Sequence, residues 1–432
     1  MTLSKLFSRL TVLAVAMMVS ACAPILAGRD AAPLAVAPES AVILPANANL
    51  DQIAALAVIN NRELRALRAQ EGVANAQVFA AGLLPDPTVS FGADFPLNAT
   101  GAVTGVSGSL GMDLLALMRR PHEQAAAEAA RDAIRDDIVW AEWLTAEQAR
   151  LLAVRIDRLR TLQELTGRLR VLTQDQLQRA LSAAGRGDLP GSGLESYRLA
   201  AADAIDRNQA VELRLSAAEF ALNRLLDQPP GRVIRFAVDQ GDGAEPADPA
   251  LLFTHARETR IDLQALRAGL NRQDDIIAAS LLARYPIPVI DIHAARDTGN
   301  LTSVGPGLSF TLPLWNRGQG ETAIARATRV QLDAEYQARV TGLEADIYAA
   351  ADALRIARSQ RDQTRSMIAP LTGQAEASAV AAARGDISNS AALATRVTLL
   401  DRQISEVELA LAAEEYRIAL EVLTGSALEG LQ

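Results

Sequence analysis

Apolar and polar residues alternate one by one in four short segments of this chain. In the first two segments, small or polar residues separate the apolar positions Val89, Phe91, Ala93 and Phe95, and then Leu110, Met112 and Leu114. In the last two they separate Ile290, Ile292 and Ala294, and then Leu308, Phe310, Leu312 and Leu314. A period of two with one apolar face predicts strands, here at about 88–95, 104–115, 289–296 and 303–314. The alternation by itself fits a soluble sheet packed on a helix as well as a sheet that faces lipid.

A period of about 3.5 residues runs through two much longer segments and predicts helices at about 121–184 and 320–383. This is the repeat of a left-handed coiled coil, and about 64 helical residues form a rod of about 95 Å. Gly185-Arg186-Gly187-Asp188 ends the first rod and Gly385-Asp386 ends the second, because glycine permits a tight turn. Each rod should therefore fold back on a partner helix as an antiparallel hairpin.

The second half of the chain repeats the first at an offset of 198 residues. The offset joins Leu110 to Leu308, Glu123 to Glu321 and Arg186-Gly187-Asp188 to Arg384-Gly385-Asp386. A fixed period is the signature of a repeated structural unit. We predict repeat 1 at 50–231, a linker at 232–249 and repeat 2 at 250–432. Each repeat should contain a helix (the first at about 50–83), two strands, the long helix and the partner helix (about 194–227 and 388–424).

The N-terminus has the features of a lipoprotein precursor. Lys5 and Arg9 precede an apolar run that is too short to span a bilayer, which predicts a signal peptide at 1–21. The run ends in Val19-Ser20-Ala21-Cys22, which resembles the bacterial lipobox, and Cys22 is the only cysteine of the chain. We predict that Cys22 carries lipid and that residues 22–49, which contain four prolines, form an extended tether. Ala23 after the cysteine favours the outer membrane.

Composition excludes several classes of function. The net charge is −9, and loss of residues 1–21 would remove Lys5 and Arg9 and leave −11. An acidic chain without a basic cluster argues against a nucleic-acid partner. No motif for a catalytic nucleophile or a phosphate loop is present, so we do not expect an enzyme or a cofactor. His122, His255 and His293 are scattered without the spacing of metal ligands, so we predict no metal site.

The strand count constrains the assembly. If the four strands face lipid they cannot close a barrel, because the smallest single-chain membrane barrels have eight strands. Several chains must then share one barrel. Two chains would give eight strands around a filled interior, whereas three would give twelve around an open lumen.

Several motifs of the chain, in their order and duplicated, resemble those of the TolC-type outer-membrane efflux proteins. These motifs are Gly82-Leu83-Leu84-Pro85-Asp86-Pro87 before the first strand, Leu312-Pro313-Leu314-Trp315-Asn316-Arg317-Gly318-Gln319-Gly320-Glu321 after the last, the two Arg-Gly-Asp turns, and the helix ends at 221–226 and 420–425. The resemblance covers about 50–428. Residues 316–320 are more similar to the heavy-metal branch of the family than to the drug branch.

The resemblance implies a fold and a function. The fold is mostly α with a small membrane β part: two structural repeats whose long antiparallel coiled-coil hairpins form a trimeric α-barrel, beneath a shared twelve-stranded outer-membrane β-barrel with four strands per chain. The function is the exit duct of a tripartite efflux system, a homotrimer in outer-membrane lipid that docks on a periplasmic adaptor fed by an inner-membrane pump. The alternative is a periplasmic coiled-coil lipoprotein that bridges layers without forming a pore.

Within this resemblance the hairpin tips are the adaptor-docking residues. They are Arg186, Gly187, Asp188 and Leu189 in repeat 1, and Arg384, Gly385, Asp386, Ile387 and Ser388 in repeat 2. Gly-Asp also makes a good turn and helix cap, so both roles can hold. The family often places a gating carboxylate just after the second turn, where this chain has Asn389-Ser390-Ala391. Either Asp386 forms the gate or the gate is not acidic, and we favour Asp386.

Trp315 follows the last predicted strand. An indole at the end of a membrane strand is typical of an anchor at the membrane–water interface. Packing in a core is the alternative.

Overall fold

The computed structural model describes residues 48–98, 100–238 and 247–428. The predicted signal peptide, Cys22, nearly all of the predicted tether and the middle of the predicted linker lie outside these residues. Repeat 1 contains α1 (Leu50–Asn60), α2 (Arg62–Ala81), β1 (Thr88–Asp94), β2 (Gly105–Asp113), α3 (Leu114–Gly185) and α4 (Gly191–Leu225). Repeat 2 contains α5 (Pro249–Thr259), α6 (Ile261–Leu282), β3 (Pro288–Arg296), β4 (Thr302–Phe310), α7 (Gln319–Arg384) and α8 (Asn389–Thr424).

This element order confirms the predicted fold class of two repeats, each with two strands and a long helical hairpin. The 72 residues of α3 and the 66 residues of α7 form rods of about 108 and 99 Å. Both values are close to the predicted length, because each rod ends at the predicted glycine turn.

The prediction of one continuous helix at 50–83 is wrong. The helix is interrupted at Asn61, whose extended backbone ends α1 and whose side chain accepts hydrogen bonds from the backbone N–H groups of Glu63 and Leu64. Such a cap satisfies donors that the first turn of α2 leaves free. Arg260 adopts the same backbone angles between α5 and α6, so the break is a feature of both repeats.

The start of the long helix was also predicted wrongly. Asp113 is the last residue of β2, and its carboxylate accepts hydrogen bonds from the N–H groups of Leu115 and Ala116 at 2.8 and 3.2 Å. The strand therefore runs directly into α3 at Leu114, and Pro121 lies inside the helix instead of starting it.

Strand β4 is shorter than the predicted 303–314. It ends at Phe310, and an eight-residue connection, 311–318, precedes α7. Arg317 and Gly318 both have positive φ, 48° and 65°, and Gly318 packs closely against Ala283. Phe310 pairs with Pro288, the first residue of β3, so the described chain gives β4 no partner residue beyond this point.

All four strands form one antiparallel sheet in the order β1-β2-β3-β4. The central pair joins the two repeats, with Leu110 opposite Ile292 and Ser109 opposite His293. Because side chains alternate between the faces of a sheet, this register places most apolar residues on one face and most Ser, Gly, Asp and His residues on the other. The exceptions are Gly108, Arg296 and Thr302 on the apolar face, and Val289 and Ala295 on the polar face.

The helices form an open layer in which each long helix has a different set of neighbours. Helix α3 is the most enclosed, because α1, α2, α4, α6 and α8 all pack on it. Ile156, Leu159 and Leu162 of α3 are completely buried against α4 and α8. Helix α7 packs on α5, α6 and α8. Across the hairpins the helices therefore follow the order α4-α3-α8-α7, with α4 and α7 at the two ends.

A buried ion pair of repeat 2 lies against α3 of repeat 1. Arg260 donates two hydrogen bonds to Asp262 at 2.8 and 2.6 Å and a third to the carbonyl oxygen of Leu423. Its guanidinium lies 4.6 Å from the ring centre of Trp140 on α3. Bidentate pairing and cation–π contact together compensate the desolvation of the guanidinium.

Candidate functional site: the exposed sheet face and the hairpin tips

The apolar face of the sheet is more exposed than its polar face. Along β3, Ile290 and Ile292 are 41% and 62% exposed, whereas Asp291 and His293 between them are half-buried. The other strands contribute further exposed apolar residues to the same face: Val89, Phe91, Val106, Leu110, Met112, Val304, Leu308 and Phe310. A continuous exposed apolar patch of this kind marks a surface that another apolar medium or partner covers.

The height of this face fits a bilayer. Strands β2, β3 and β4 each have nine residues. A transmembrane strand, which is tilted in its barrel, needs about 9–11 residues. Among the described residues, no helix is long and apolar enough to cross a membrane.

The structure places Trp315 in the connection after β4, where it is 88% exposed and does not pack in a core. Tyr285, which precedes β3 at the same end of the sheet, is also exposed. Phe95 and Leu97 are exposed at the opposite end. Aromatic residues at the ends of an apolar band are typical of membrane interfaces.

The two hairpin tips have the same backbone geometry. Gly187 and Gly385 both have a φ of 81°. The N–H of Asp188 donates to the carbonyl oxygen of Ala183, and the N–H of Asp386 donates to that of Ala381, both at 2.9 Å. These bonds satisfy carbonyl groups at the ends of α3 and α7, and they need a left-handed residue that glycine adopts most easily.

The side chains of the two tips differ. In the first, Arg186 pairs with Asp188 at 2.9 Å, and Leu189 packs over Gly193. In the second, Ser388 caps α8 by accepting a hydrogen bond from the N–H of Ala391. All five predicted docking residues of the second tip, Arg384–Ser388, are exposed. The two tips therefore present different side chains on the same backbone. The gating role of Asp386 stays a prediction.

The structure brings together polar residues that the sequence analysis did not connect. His293 Nδ1 lies 3.6 Å from Asp291 Oδ2 on the polar face of the sheet, and His122 Nδ1 lies 3.8 Å from Asp275 Oδ1 between α3 and α6. Residues two apart in a strand share a face, so the first pair could have been found from the sequence. Within the described part of the chain, no group of three or more His, Cys, Asp or Glu residues is arranged to hold a metal ion.

A cluster of charges lies where α3 of repeat 1 meets α8 of repeat 2. Glu147 is completely buried and pairs with Arg150 at 2.8 Å, while its second carboxylate oxygen has no hydrogen-bond partner. Glu421 and Arg417 of α8 lie opposite. Burial raises the pKa of Glu147 to about 7, the negative charge of Glu421 adds to this effect, and Arg150 and Arg417 oppose it.

Solved structures with this fold are outer-membrane channels. The chain matches CusC, described as forming a transmembrane channel, with a TM-score of 0.67 and 17% identity over 88% of this chain and 92% of that one. It matches the outer membrane protein VceC of Vibrio cholerae with a TM-score of 0.67 and 15% identity over 88% and 96% of the two chains. It matches the outer membrane channel CmeC of Campylobacter jejuni with a TM-score of 0.68 and 15% identity over 87% of this chain and 85% of that one. These matches confirm the predicted resemblance: the chain has the fold of the TolC-type outer-membrane channels.

A curated relative is the cobalt-zinc-cadmium resistance protein CzcC of Cupriavidus metallidurans. The two sequences are 29% identical over 146 residues, which is 33% of this chain. The match thus spans about a third (34%) of that relative's length. No family model matches the chain.

The buried carboxyl of Glu147 predicts a pH-dependent stability. Its pKa is about 7 in the folded chain and about 4.5 when exposed, so only the folded state binds the proton between these values. The free energy of unfolding should therefore fall as pH rises from about 4.5 to 7, by at most about 3 kcal/mol. Glu147→Gln should melt at a higher temperature than the wild type at pH 8 and at nearly the same temperature at pH 4.5. Glu164→Gln, at an exposed ion pair on the same helix, is the control. Equal shifts for both variants at pH 8 would contradict the role of burial.

Proposed function

We propose that three copies of this chain form the outer-membrane exit duct of a tripartite efflux system. The observation that carries the proposal is a four-stranded sheet whose apolar face is exposed and which continues directly into helical hairpins about 100 Å long. A conduit through the outer membrane and across the periplasm needs both parts in one chain. The duct would pass substrates without transforming them, so we propose that the protein is not an enzyme.

The edges of the sheet support a shared barrel. Strands β1 and β4 lie at the two ends of the sheet, so each has one side without a partner strand in the described chain. In hydrocarbon the free N–H and C=O groups of an edge must find partners, because water is absent. Pairing of β1 with β4 of the next copy satisfies both edges, and twelve strands leave an open lumen.

The helical layer has the same kind of open ends. Leu199 and Leu213 of α4 are 70% and 73% exposed, and Ile356 and Met367 of α7, at similar distances from the hairpin tips, are 41% and 43% exposed. These helices end the layer on opposite sides. If α4 of one copy packs on α7 of the next, both apolar faces are covered by the same rotation that closes the sheet. We therefore infer that neighbouring copies of the chain, arranged in a ring, cover the apolar faces of α4 and α7.

A non-channel lipoprotein that bridges layers is the competing function. A coiled-coil rod needs no exposed apolar sheet with strands of transmembrane length, so the sheet argues against it. The fold shared with CusC, VceC and CmeC also supports a channel.

The hairpin tips are the proposed docking site for a periplasmic adaptor that is fed by an inner-membrane pump. The tips, Arg186–Leu189 and Arg384–Ser388, lie at the far ends of the rods from the sheet, where an adaptor would meet the duct. Their exposure and their fixed turn geometry support this role. The resemblance of 316–320 to the heavy-metal branch and the partial match to CzcC support a metal-ion cargo.

Lipid on Cys22 would add an anchor to the outer membrane from the periplasmic side. The proposal rests on the placement of this single cysteine directly after the apolar run.

Trimer formation and conductance test the channel. The purified protein in detergent should have the mass of three chains, each of them the 45.9 kDa precursor less its signal peptide. It should also conduct ions in planar bilayers. Ile292→Arg, which places a charge on the lipid face at a cost of about 2–4 kcal/mol, should reduce insertion. Ala295→Arg, on the polar face of the same strand, should insert. A stable monomer without conductance would exclude the duct.

Docking is tested at the glycines of the tips. A Cβ at Gly187 or Gly385 would meet no neighbour within 4 Å, but the left-handed backbone costs about 1–2 kcal/mol for any other residue. Gly187→Val and Gly385→Val should keep the trimer and fail to restore resistance to toxic metals or drugs in a deletion strain. Gly185→Ala, at the last helical residue of α3 directly before the first tip, is the matched control and should restore it. Full resistance with both Val variants would refute docking at the tips.

Lipidation is tested by metabolic labelling with a fatty acid. Label should enter the wild-type chain and should be absent from Cys22→Ser. Label of equal intensity in the two proteins would show that Cys22 is not the acceptor.

A further inference from the structure

We propose that Asp291 and His293 form a low-affinity site for a divalent transition-metal ion, such as Zn²⁺, on the polar face of β3. In the duct proposed above this face lines the lumen, so the trimer would carry three such sites around the exit. The location in the lumen rests on the proposed function, whereas the site itself rests on the geometry of one chain.

The distance between the two side chains fits a shared metal ion. Zn²⁺ binds imidazole nitrogen at about 2.0–2.1 Å and carboxylate oxygen at about 2.0–2.2 Å, and tetrahedral angles then place two ligand atoms about 3.4 Å apart. His293 Nδ1 and Asp291 Oδ2 are 3.6 Å apart. This distance exceeds that of a normal hydrogen bond. The pair can therefore take a metal ion with little movement.

The neighbouring strand leaves space for the Asp291 carboxylate. Gly307 lies opposite Asp291 in β4, and a Cβ at this glycine would stand 2.5 Å from Asp291 Oδ1. Any side chain at this position would displace the carboxylate. The imidazole of His293 lies over Gly305, where a Cβ would stand at an ordinary contact distance of 3.6 Å from Cε1.

The surroundings of the pair are polar and open. Ser109 lies opposite His293 in β2, and its hydroxyl is 2.7 Å from that of Ser90. The side chains of His293 and Asp291 are 46% and 23% exposed, so water can fill the remaining coordination positions. Two protein ligands with water give weak, rapidly exchanging binding, which suits a surface that ions pass.

Binding of Zn²⁺ to the full-length protein in detergent tests the site directly. Calorimetric titration at pH 7.5 should show Zn²⁺ bound at one site per chain that His293→Ala and Asp291→Asn weaken at least tenfold. His122→Ala, which removes the other histidine close to an aspartate, should leave the site intact.

A pair of glycine variants tests the geometry without removing a ligand. Gly307→Ala should weaken Zn²⁺ binding at least tenfold because the new methyl group displaces the Asp291 carboxylate. Gly305→Ala, two residues away on the same face, should bind as the wild type does. Matching melting temperatures of the two variants would show that both are folded.

Two results would overturn the proposal: no Zn²⁺ binding by the wild type, or binding that persists in both His293→Ala and Asp291→Asn. A failure of the duct itself looks different, because the protein would then bind Zn²⁺ through both residues and form no conducting trimer. In conducting trimers, Zn²⁺ should lower the single-channel current of the wild type and leave that of His293→Ala unchanged. An equal effect on both would contradict the position of the site in the lumen.

Discussion

The rest of the structure depends on one constraint: the four-stranded sheet has an exposed apolar face, which is unfavourable in water, and two unpaired edges, which are unfavourable in hydrocarbon. An edge strand in lipid must pair its N–H and C=O groups, and four strands cannot curl far enough to pair with themselves. The same constraint applies to the helical layer, since α4 and α7 end it with exposed apolar residues such as Leu213 and Ile356. In the proposed trimer, the rotation that brings β4 of one copy to β1 of the next would also bring α7 to α4. One symmetry operation would then satisfy both layers, and the internal repeat would make six similar hairpins from three chains.

The two repeats have the same backbone geometry at corresponding positions but different side chains. The glycine turns at 187 and 385 have identical φ angles, and the helix breaks at Asn61 and Arg260 have nearly identical ones. The side chains then diverge. The first tip is closed by an ion pair and the second by a serine cap, and α3 packs on helices of both repeats whereas α7 packs on α5, α6 and α8 of its own repeat. The buried Glu147 lies at the contact between α3 and α8, so its protonation acts where the repeats meet.

Much of this architecture could be predicted from the sequence, because each element is long enough to show its period. The alternation around Ile292 and the 3.5-residue spacing of α3 depend only on which side of an element is apolar. The wrong predictions lie where a single side chain determines the boundary of a helix. Asn61 interrupts a helix by capping the next, and Asp113 starts α3 seven residues before Pro121. Contacts between distant elements, such as Glu147 with Glu421, have no local signal. The exposure of the apolar face, on which the proposed function rests, could be seen only from the pairing of the strands in the structure.

The pairing of β1 with β4 of a neighbouring copy can be measured directly by disulfide cross-linking. In a Cys22→Ser background, a cysteine at Ser90 in β1 would be combined in turn with one at Ser303, Gly305 or Ser309 in β4. Within one chain these strands are separated by β2 and β3, about 14 Å, which no disulfide can bridge. We expect at least one combination to give covalent trimers on oxidation in membranes. Monomers for every combination, or covalent dimers that close on themselves, would contradict a barrel shared by three chains.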